Sequence, residues 1–414
     1  MPESLPLNFR SPAPELPVPS PESPVPRMLR ILMLAPTPFF ADRGCHVRIL
    51  EEARILAALG QRVEIVTYHI GRDLPGIITR RIAAIPWYRK LEAGPSWHKP
   101  YLDILLFCKA LSVARRFKPD LIHAHLHEGA FVGILLKKIL GIPLLFDCQG
   151  SLTGEIIDHG FVPGGSFAAA AFGWIESFIN KAADAIITSS TPAAADLVTK
   201  WQVPEALVTA VPDGVNADEF RVSDKAAARA RLNLPADVPV AAFLGLFNCY
   251  QGLDLLLEVI AILKERGSTA RFLLMGFPDE SYRQRAAAMG IAGMITFTGR
   301  VDYAQAPLFL AAADVALSPK ISLTEANGKL FNYLACGLPS LVFETPVNRE
   351  ILGDTGTYAR FADPVDFADK LAALLADPSR CAELGSRARE KAVREHSWEA
   401  RGETLLQLYQ KIVR

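Results

Sequence analysis

The residues best suited to chemistry cluster in SPKISLTEANGKLFNYLACGLPSLVFETP, residues 318–346. Glu325, Asn327, Gly328 and Lys329 form a polar loop ahead of a short helix over Leu330–Ala335, which stops at Gly337-Leu338-Pro339. A helix start with a lysine in its first turn is a seat for a diphosphate, because amides, dipole and ammonium act on one anion. The plainer alternative is a capped helix with a solvated lysine. A second loop, APTPFFADRGCH over Ala35–His46, ends a strand and opens a helix around Gly44. Its amides suit a phosphate or a substrate hydroxyl, but without GxGxxG there is no dinucleotide fingerprint. An ordinary strand-to-helix loop reads the same way. Third, His123, His125 and His127 recur at a spacing of two in DLIHAHLHEG. On an extended chain they share a face and suit a metal. The other histidines add no HExxH pattern, and a turn after His125 breaks that face. A polar, substrate-contacting histidine at a strand tip is the better reading; no metal is expected.

These loops need a scaffold. Apolar runs at Leu29–Leu34, Val63–Thr67, Leu121–Ala124, Leu144–Asp147, Ala185–Ser189 and Leu207–Val211 alternate with helical patterns such as Val47–Leu59. Continuous apolar strands separated by helices predict a parallel, doubly wound sheet. The pattern restarts with strands at Val238–Leu244, Arg271–Met275, Met294–Phe297, Ala313–Leu317 and Ser340–Phe343, and a helix at Leu253–Glu265. The expected fold class is α/β: two Rossmann-like domains facing a cleft, where ligands of such sheets sit. The expected units are a Pro-rich leader (1–27), a first domain (28–212), a second (213–395) and a terminal segment (396–414) whose helix, Trp398–Ile412, crosses back to the first.

Composition bounds the function classes. The chain has 414 residues, half of them hydrophobic, and its 44 Lys plus Arg balance 44 Asp plus Glu. No global field favours nucleic acid. Six cysteines at 45, 108, 148, 249, 336 and 381 form no CxxC and read as reduced core thiols. The leader, with PAPELPVPSPESPVP, has little to bury and reads as disordered; Met28, heading the first strand, is a second candidate initiator. No stretch is long and apolar enough for a spanning helix, which needs roughly 20 residues.

Taken in order, these pieces resemble the retaining glycosyltransferases of family 4, which have the GT-B fold. RGCHVRILEEARILAALGQRVEIVT is similar to the family's first loop and helix, and PDLIHAH to its mid-domain strand. ADAIITSS with VPDGVNADEF resembles the entry to the second domain. FTGRV, AAADVALSPK and NGKLFNYLACGLPSLVFETPVNREIL resemble the donor-site segments, and HSWEARGETLLQLY the crossing helix. The resemblance implies transfer of a sugar from a UDP- or GDP-sugar, metal-independent and with retained configuration. It places Gly299 and Arg300 near the base, and Glu325 on the donor sugar hydroxyls. Asn327, Gly328, Lys329 and the amide of Leu330 would hold the diphosphate, and His125 would sit near the anomeric centre. Gly44 and His46, with Asp147 and Gln149, would line the acceptor side; a cap on its own turn is the equal alternative for Asp147.

Three departures stand out. Asn332 replaces the family's second motif glutamate, the stretch from Gly328 to Gly337 is one residue shorter than usual, and Gly245-Leu246 with Gln251-Gly252 replaces two cationic phosphate contacts. Lys329, helped by Lys320 or Arg349, must then supply the charge. NGKLFNY beside YQGLDLLL marks a branch of the family. The departures also leave a non-catalytic sugar-nucleotide-binding protein or an epimerase as alternatives.

Residues Ile85–Lys118 mix Trp87, Tyr88, Trp97 and Tyr101 with seven Lys and Arg. Aromatics and cations beside an apolar helix suit an anionic bilayer, so a lipid or lipid-linked saccharide acceptor is expected. A solvated helix beside a half-buried aromatic loop is the plain alternative. The expected location is the cytoplasm, in peripheral contact with the inner face of the plasma membrane.

Overall fold

The computed structural model describes residues 27–91, 94, 96–158, 160–323 and 326–413. Residues 1–26 of the leader, His159 and Glu325 lie outside the described residues.

Seven strands build the first sheet: β1 (Arg30–Ala35), β2 (Arg62–Thr67), β3 (Thr79–Arg81), β4 (Leu121–His125), β5 (Leu144–Cys148), β6 (Ala185–Thr188) and β7 (Val208–Ala210). They run parallel in the order β3-β2-β1-β4-β5-β6-β7. Six more build the second: β8 (Val240–Leu244), β9 (Arg271–Met275), β10 (Ile295–Gly299), β11 (Val315–Ser318), β12 (Ser340–Phe343) and β13 (Gly356–Ala359). Their order is β10-β9-β8-β11-β12-β13, again parallel. The central strands are buried on both faces, which is why β1 and β8 read as apolar runs, whereas β4 and β5 bury His123, His125 and Asp147. β3 and β13 escape the sequence pattern because they are short edge strands, half-buried, reading TRR and GTYA.

Each sheet reverses its winding once: between β1 and β4 in the first, and between β8 and β11 in the second. Strands on either side of such a switch send their following loops in opposite directions, which opens a crevice at the strands' carboxyl ends. The two crevices face each other.

One face of the first sheet is covered by the helices Lys99–Phe117, Leu126–Leu140 and Phe167–Ala182. The other is covered by the helix Gly44–Ala58 and by the terminal helix Trp398–Ile412, whose Leu405, Leu406 and Tyr409 join Ile49, Leu50 and Ala53 in one core. Gly402 allows the close crossing: a Cβ there would lie 2.5 Å from Ile55 Cγ1. The six cysteines form no disulfide, and Cys108 and Cys249 are exposed rather than core thiols. Met28 is exposed ahead of β1.

At the return point, the Val215 amide donates to the His396 carbonyl at 2.8 Å. The His396 ring is buried, with Nε2 on the Ile351 carbonyl at 3.3 Å and Nδ1 3.3 Å from the Arg401 guanidinium. Burial, aided by Lys391 and Arg401, lowers its pKa to about 4. The unfolded chain takes up this proton near pH 6.5, so the stability is present above that pH and lost as pH falls toward about 4. A His396→Gln variant should close its stability gap to the wild type by up to about 3 kcal/mol between pH 7 and pH 4. Urea unfolding at the two pH values measures this; a constant gap would refute it.

Candidate active site

The loops at both switch points line one cleft cavity of about 290 Å³. From the first sheet come the loop after β1 (Pro36–Pro38, Asp42–Cys45), the turn after β4 (Leu126–Glu128) and the loop after β5 (Gln149–Leu152). From the second come Gly245 and Gln251 after β8, then Lys320 and Ala326–Lys329 after β11.

The second-domain wall carries the charge. The helix Lys329–Ala335 has only seven residues, and the Leu330 and Phe331 amides already bond to the Asn327 and Gly328 carbonyls at 3.0 and 3.2 Å. Leu330 itself is core, so the expected contact from its amide is not available. The weight of anion binding therefore shifts from helix amides to the lysine. Lys329 Nζ donates to Gln251 Oε1 at 2.5 Å and lies 4.4 Å from the Phe243 ring centroid. Gly245, at φ 152°, gives it room: a Cβ there would stand 3.0 Å from that Nζ. Asn327 is buried and tied to Ser318 and to Asn348 Oδ1 at 2.9 Å, so its side chain holds the loop. Asn332 lines the cleft. Of the two helpers considered for Lys329, Lys320 lines the cavity and donates to the Ala326 carbonyl at 2.7 Å, whereas Arg349 points to Glu344.

Gly299 and Arg300 do not line the cavity; their neighbour Val301 does. Arg300 instead crosses to Asp42 of the first domain at 2.6 Å, where Arg72 also binds the same carboxylate.

The first-domain wall differs more from expectation. Gly44, the first residue of its helix, lines the cleft, and Arg43 at the cap position supplies no side-chain cap. His46 does not reach the acceptor side: it is fully buried, and its Nδ1 accepts the Ala41 amide at 2.9 Å, clasping the loop. His125 and Asp147 are also fully buried behind the wall, joined Nδ1 to Oδ2 at 2.9 Å. Gln149 is the group that faces the cleft, and its Nε2 donates to Asp147 Oδ2 at 2.7 Å. Asp147 is thus no turn cap. The chain turns after His125, as expected, and Leu126 takes a φ of 60°. That turn sends His127 to the cleft while the rings of His123 and His125 stack 4.3 Å apart.

What holds Asp147 is Arg48, a residue the sequence pattern did not single out. Its guanidinium is buried, with Nε 3.0 Å from Asp147, Nη1 2.7 Å from Asp213 in the interdomain segment, and Nε 3.2 Å from Glu52. Burial alone would raise the Asp147 carboxyl, but Arg48 and His125 outweigh it and hold it well below the usual range. Burial wins at Glu52, whose carboxyl is raised well above that range despite Arg48. Burial likewise lowers His123 and His125, which stay neutral. Glu52, His123, His125 and Asp147 bring ligand atoms within 4.8 Å of one another, a grouping a metal would accept. Arg48 already supplies the cation there, so the donor set fits an ion-pair network better than a metal cage. Tyr409 closes the cluster, its hydroxyl 2.7 Å from His123 Nδ1, and so ties the crossing helix to it.

Residues 43–214 match the family described as "Glycosyl transferase 4-like domain", and residues 224–391 match "Glycosyl transferases group 1". A D-inositol 3-phosphate glycosyltransferase of Thermobispora bispora is 30% identical over 391 residues, covering 88% of this chain and 89% of the relative. Among solved structures, a sucrose-phosphate synthase from Thermosynechococcus elongatus superposes with a TM-score of 0.79 at 22% identity, over 93% of this chain and 99% of its own. Anabaena Alr3699/HepE in complex with UDP-glucose gives 0.76 at 15% identity, over 92% of this chain and 100% of its own. These two likenesses are of fold.

Proposed function

The chain belongs to glycosyltransferase family 4 and has the two-domain GT-B fold, and from that premise we propose that it moves a hexose from a UDP- or GDP-sugar to a lipid or lipid-linked saccharide, with retained configuration and without a metal. The observation that carries the donor half is Lys329, held over the cavity by Gln251 and Phe243 with Gly245 clearing its path. A sugar leaving its diphosphate passes through an oxocarbenium-like state, so charge builds on the leaving phosphates and a fixed cation lowers the barrier. Lys329, with Lys320 across the loop, provides that charge where relatives of the common pattern use an arginine and a lysine. Glu325 holds the donor sugar hydroxyls and Asn332 the ribose, in this reading.

No protein nucleophile is nominated: attack comes from the donor's front face. On the acceptor side Gln149 and Gly44 face the cavity, and His127, lining the cleft beside them, takes the substrate-contacting part first given to His125. His125 acts through Asp147, which orients Gln149. Closure of the two domains on the cleft, which the Arg300–Asp42 contact already bridges, keeps water from the donor. The D-inositol 3-phosphate named for the T. bispora relative is the alternative acceptor. A working location at the cytoplasmic face of a membrane follows from a lipid acceptor.

A thermal-shift panel of UDP, GDP, ADP and their common sugar conjugates, with and without EDTA, tests the donor half. Binding raises stability by RT ln(1 + [L]/Kd), so a selective ligand at 100 times its Kd adds about 2.7 kcal/mol. The expected result is a shift with one nucleotide family, unchanged by EDTA. No shift with any nucleotide, together with a loss of stability on chelation, would overturn the reading and bring the buried histidines forward as a metal site.

A further inference from the structure

Large apolar side chains are rarely left on the surface of a monomer in one contiguous patch. Here they concentrate on the outer face of the three helices that cover one side of the first sheet. On Phe167–Ala182 the exposed positions include Phe167, at 91% exposure, Trp174, at 73%, Ile175 and Phe178, with only alanines exposed between them. On Leu126–Leu140, which packs against it, Phe131, Leu135 and Ile139 form an exposed stripe at helical spacing. Lys99–Phe117, packed on the other side, exposes Ile104 and Cys108 in the same register before Arg115 and Arg116. Each helix has a second, inward face in the core, so these residues are surplus to folding.

The charges on the three helices are sorted by direction. Every acidic residue is turned inward or engaged: Asp103 accepts from the Tyr68 hydroxyl at 2.6 Å, Glu128 pairs with Lys99, and Glu176 is buried, accepting the Thr153 amide at 2.8 Å. The charged residues exposed on the same helices, Arg115, Arg116, Lys138 and Lys181, are all cations. An apolar, tryptophan-bearing face whose own exposed charges are all cations, set in the last turns of its helices, is complementary to an anionic, apolar-cored partner.

We propose that this three-helix face docks on an anionic lipid bilayer. The patch continues to the cleft. Trp97, exposed beside the cleft residue Lys99, packs its ring 4.8 Å from that of Phe161, just beyond the helix that supplies cleft residue Glu155. A bilayer on this face therefore borders the mouth of the cavity. This places the membrane contact mainly on the 126–140 and 167–182 helices, beyond the Ile85–Lys118 stretch, where Tyr88 is buried and unavailable. The proposal deepens the lipid-acceptor reading and rests on it only for the purpose of docking, since the contact itself needs no turnover.

The test is co-sedimentation of the full chain with vesicles of phosphatidylglycerol and phosphatidylcholine, against phosphatidylcholine alone, at low and high salt. Binding is expected with the anionic vesicles, weakened by salt, and at least tenfold weaker in Trp174→Ser/Phe178→Ser and in Arg115→Glu/Arg116→Glu. All four side chains are exposed, so the variants should keep the wild-type melting temperature and nucleotide-induced shift. Absence of binding to anionic vesicles at low salt would overturn the proposal. So would variants that bind as well as the wild type, or a wild-type dimer that Trp174→Ser/Phe178→Ser dissociates while vesicles are ignored. Vesicle binding without any nucleotide shift would sustain the docking face while refuting the donor reading.

Discussion

Lys329→Ala is expected to lower kcat/KM for the nucleotide-sugar by about 100- to 1000-fold, the cost typical of removing one fixed charge stabiliser from a transition state. The reason is that Lys320, which is tied to the Ala326 carbonyl, is the main alternative left on this wall. Gly245 and Gln251 stand where cations serve the common pattern, the seven-residue helix has spent two of its first amides internally, and Arg349 is turned to Glu344. Most of the loss should fall on kcat, because the charge on the diphosphate grows as the sugar departs. Gln251→Ala, which only frees the ammonium to swing, should cost far less. Steady-state kinetics with the donor found by the thermal-shift panel decides the matter. A Lys329→Ala enzyme within threefold of the wild type would mean that the diphosphate sits elsewhere.

Arg48→Met should destabilise the first domain by about 3–5 kcal/mol, the usual cost of stripping the partner from a buried ion. Asp147, held ionised by Arg48, would be left charged with no bulk water to receive it, and the Asp213 contact that joins the interdomain segment to this domain would go with it. Adding Asp147→Asn should recover a large part of the loss, since burial already disfavours charge on Glu52 and the remaining carboxylate, Asp213, borders the open cleft. Urea unfolding followed by tryptophan fluorescence measures both variants. A drop under 1 kcal/mol for Arg48→Met, or no recovery in the double variant, would show that the cluster is not an ion pair under load.

The sequence alone determined the architecture because the fold's signal is local. Buried parallel strands are mostly apolar, and so the run RILMLA announces β1 as plainly as RFLLM announces β9. The helix predicted over Leu253–Glu265 and the crossing helix over Trp398–Ile412 have those bounds in the structure. Loop chemistry around Gly44, Gln149, Gln251, Asn327 and Lys329 was legible for the same reason: strand ends at a switch point open onto the crevice whatever packs elsewhere.

Only the tertiary structure decided which polar side chains face that crevice. His125 and His127 are two residues apart in the chain, yet a left-handed Leu126 sends one behind the wall and the other into the cleft. Arg48 and Glu52 sit on an amphipathic helix where a pattern of period 3.6 reads charge as solvent-facing. They are buried instead because Asp147, Asp213 and Tyr409 converge on them from a strand 99 residues away, the interdomain segment and the last helix. A buried charge is stable only when its partners are assembled, and those partners are contributed by segments no local window contains. The apolar outer faces of the 126–140 and 167–182 helices were hidden in the same way, since hydrophobic on all sides reads as core until the fold leaves one side uncovered.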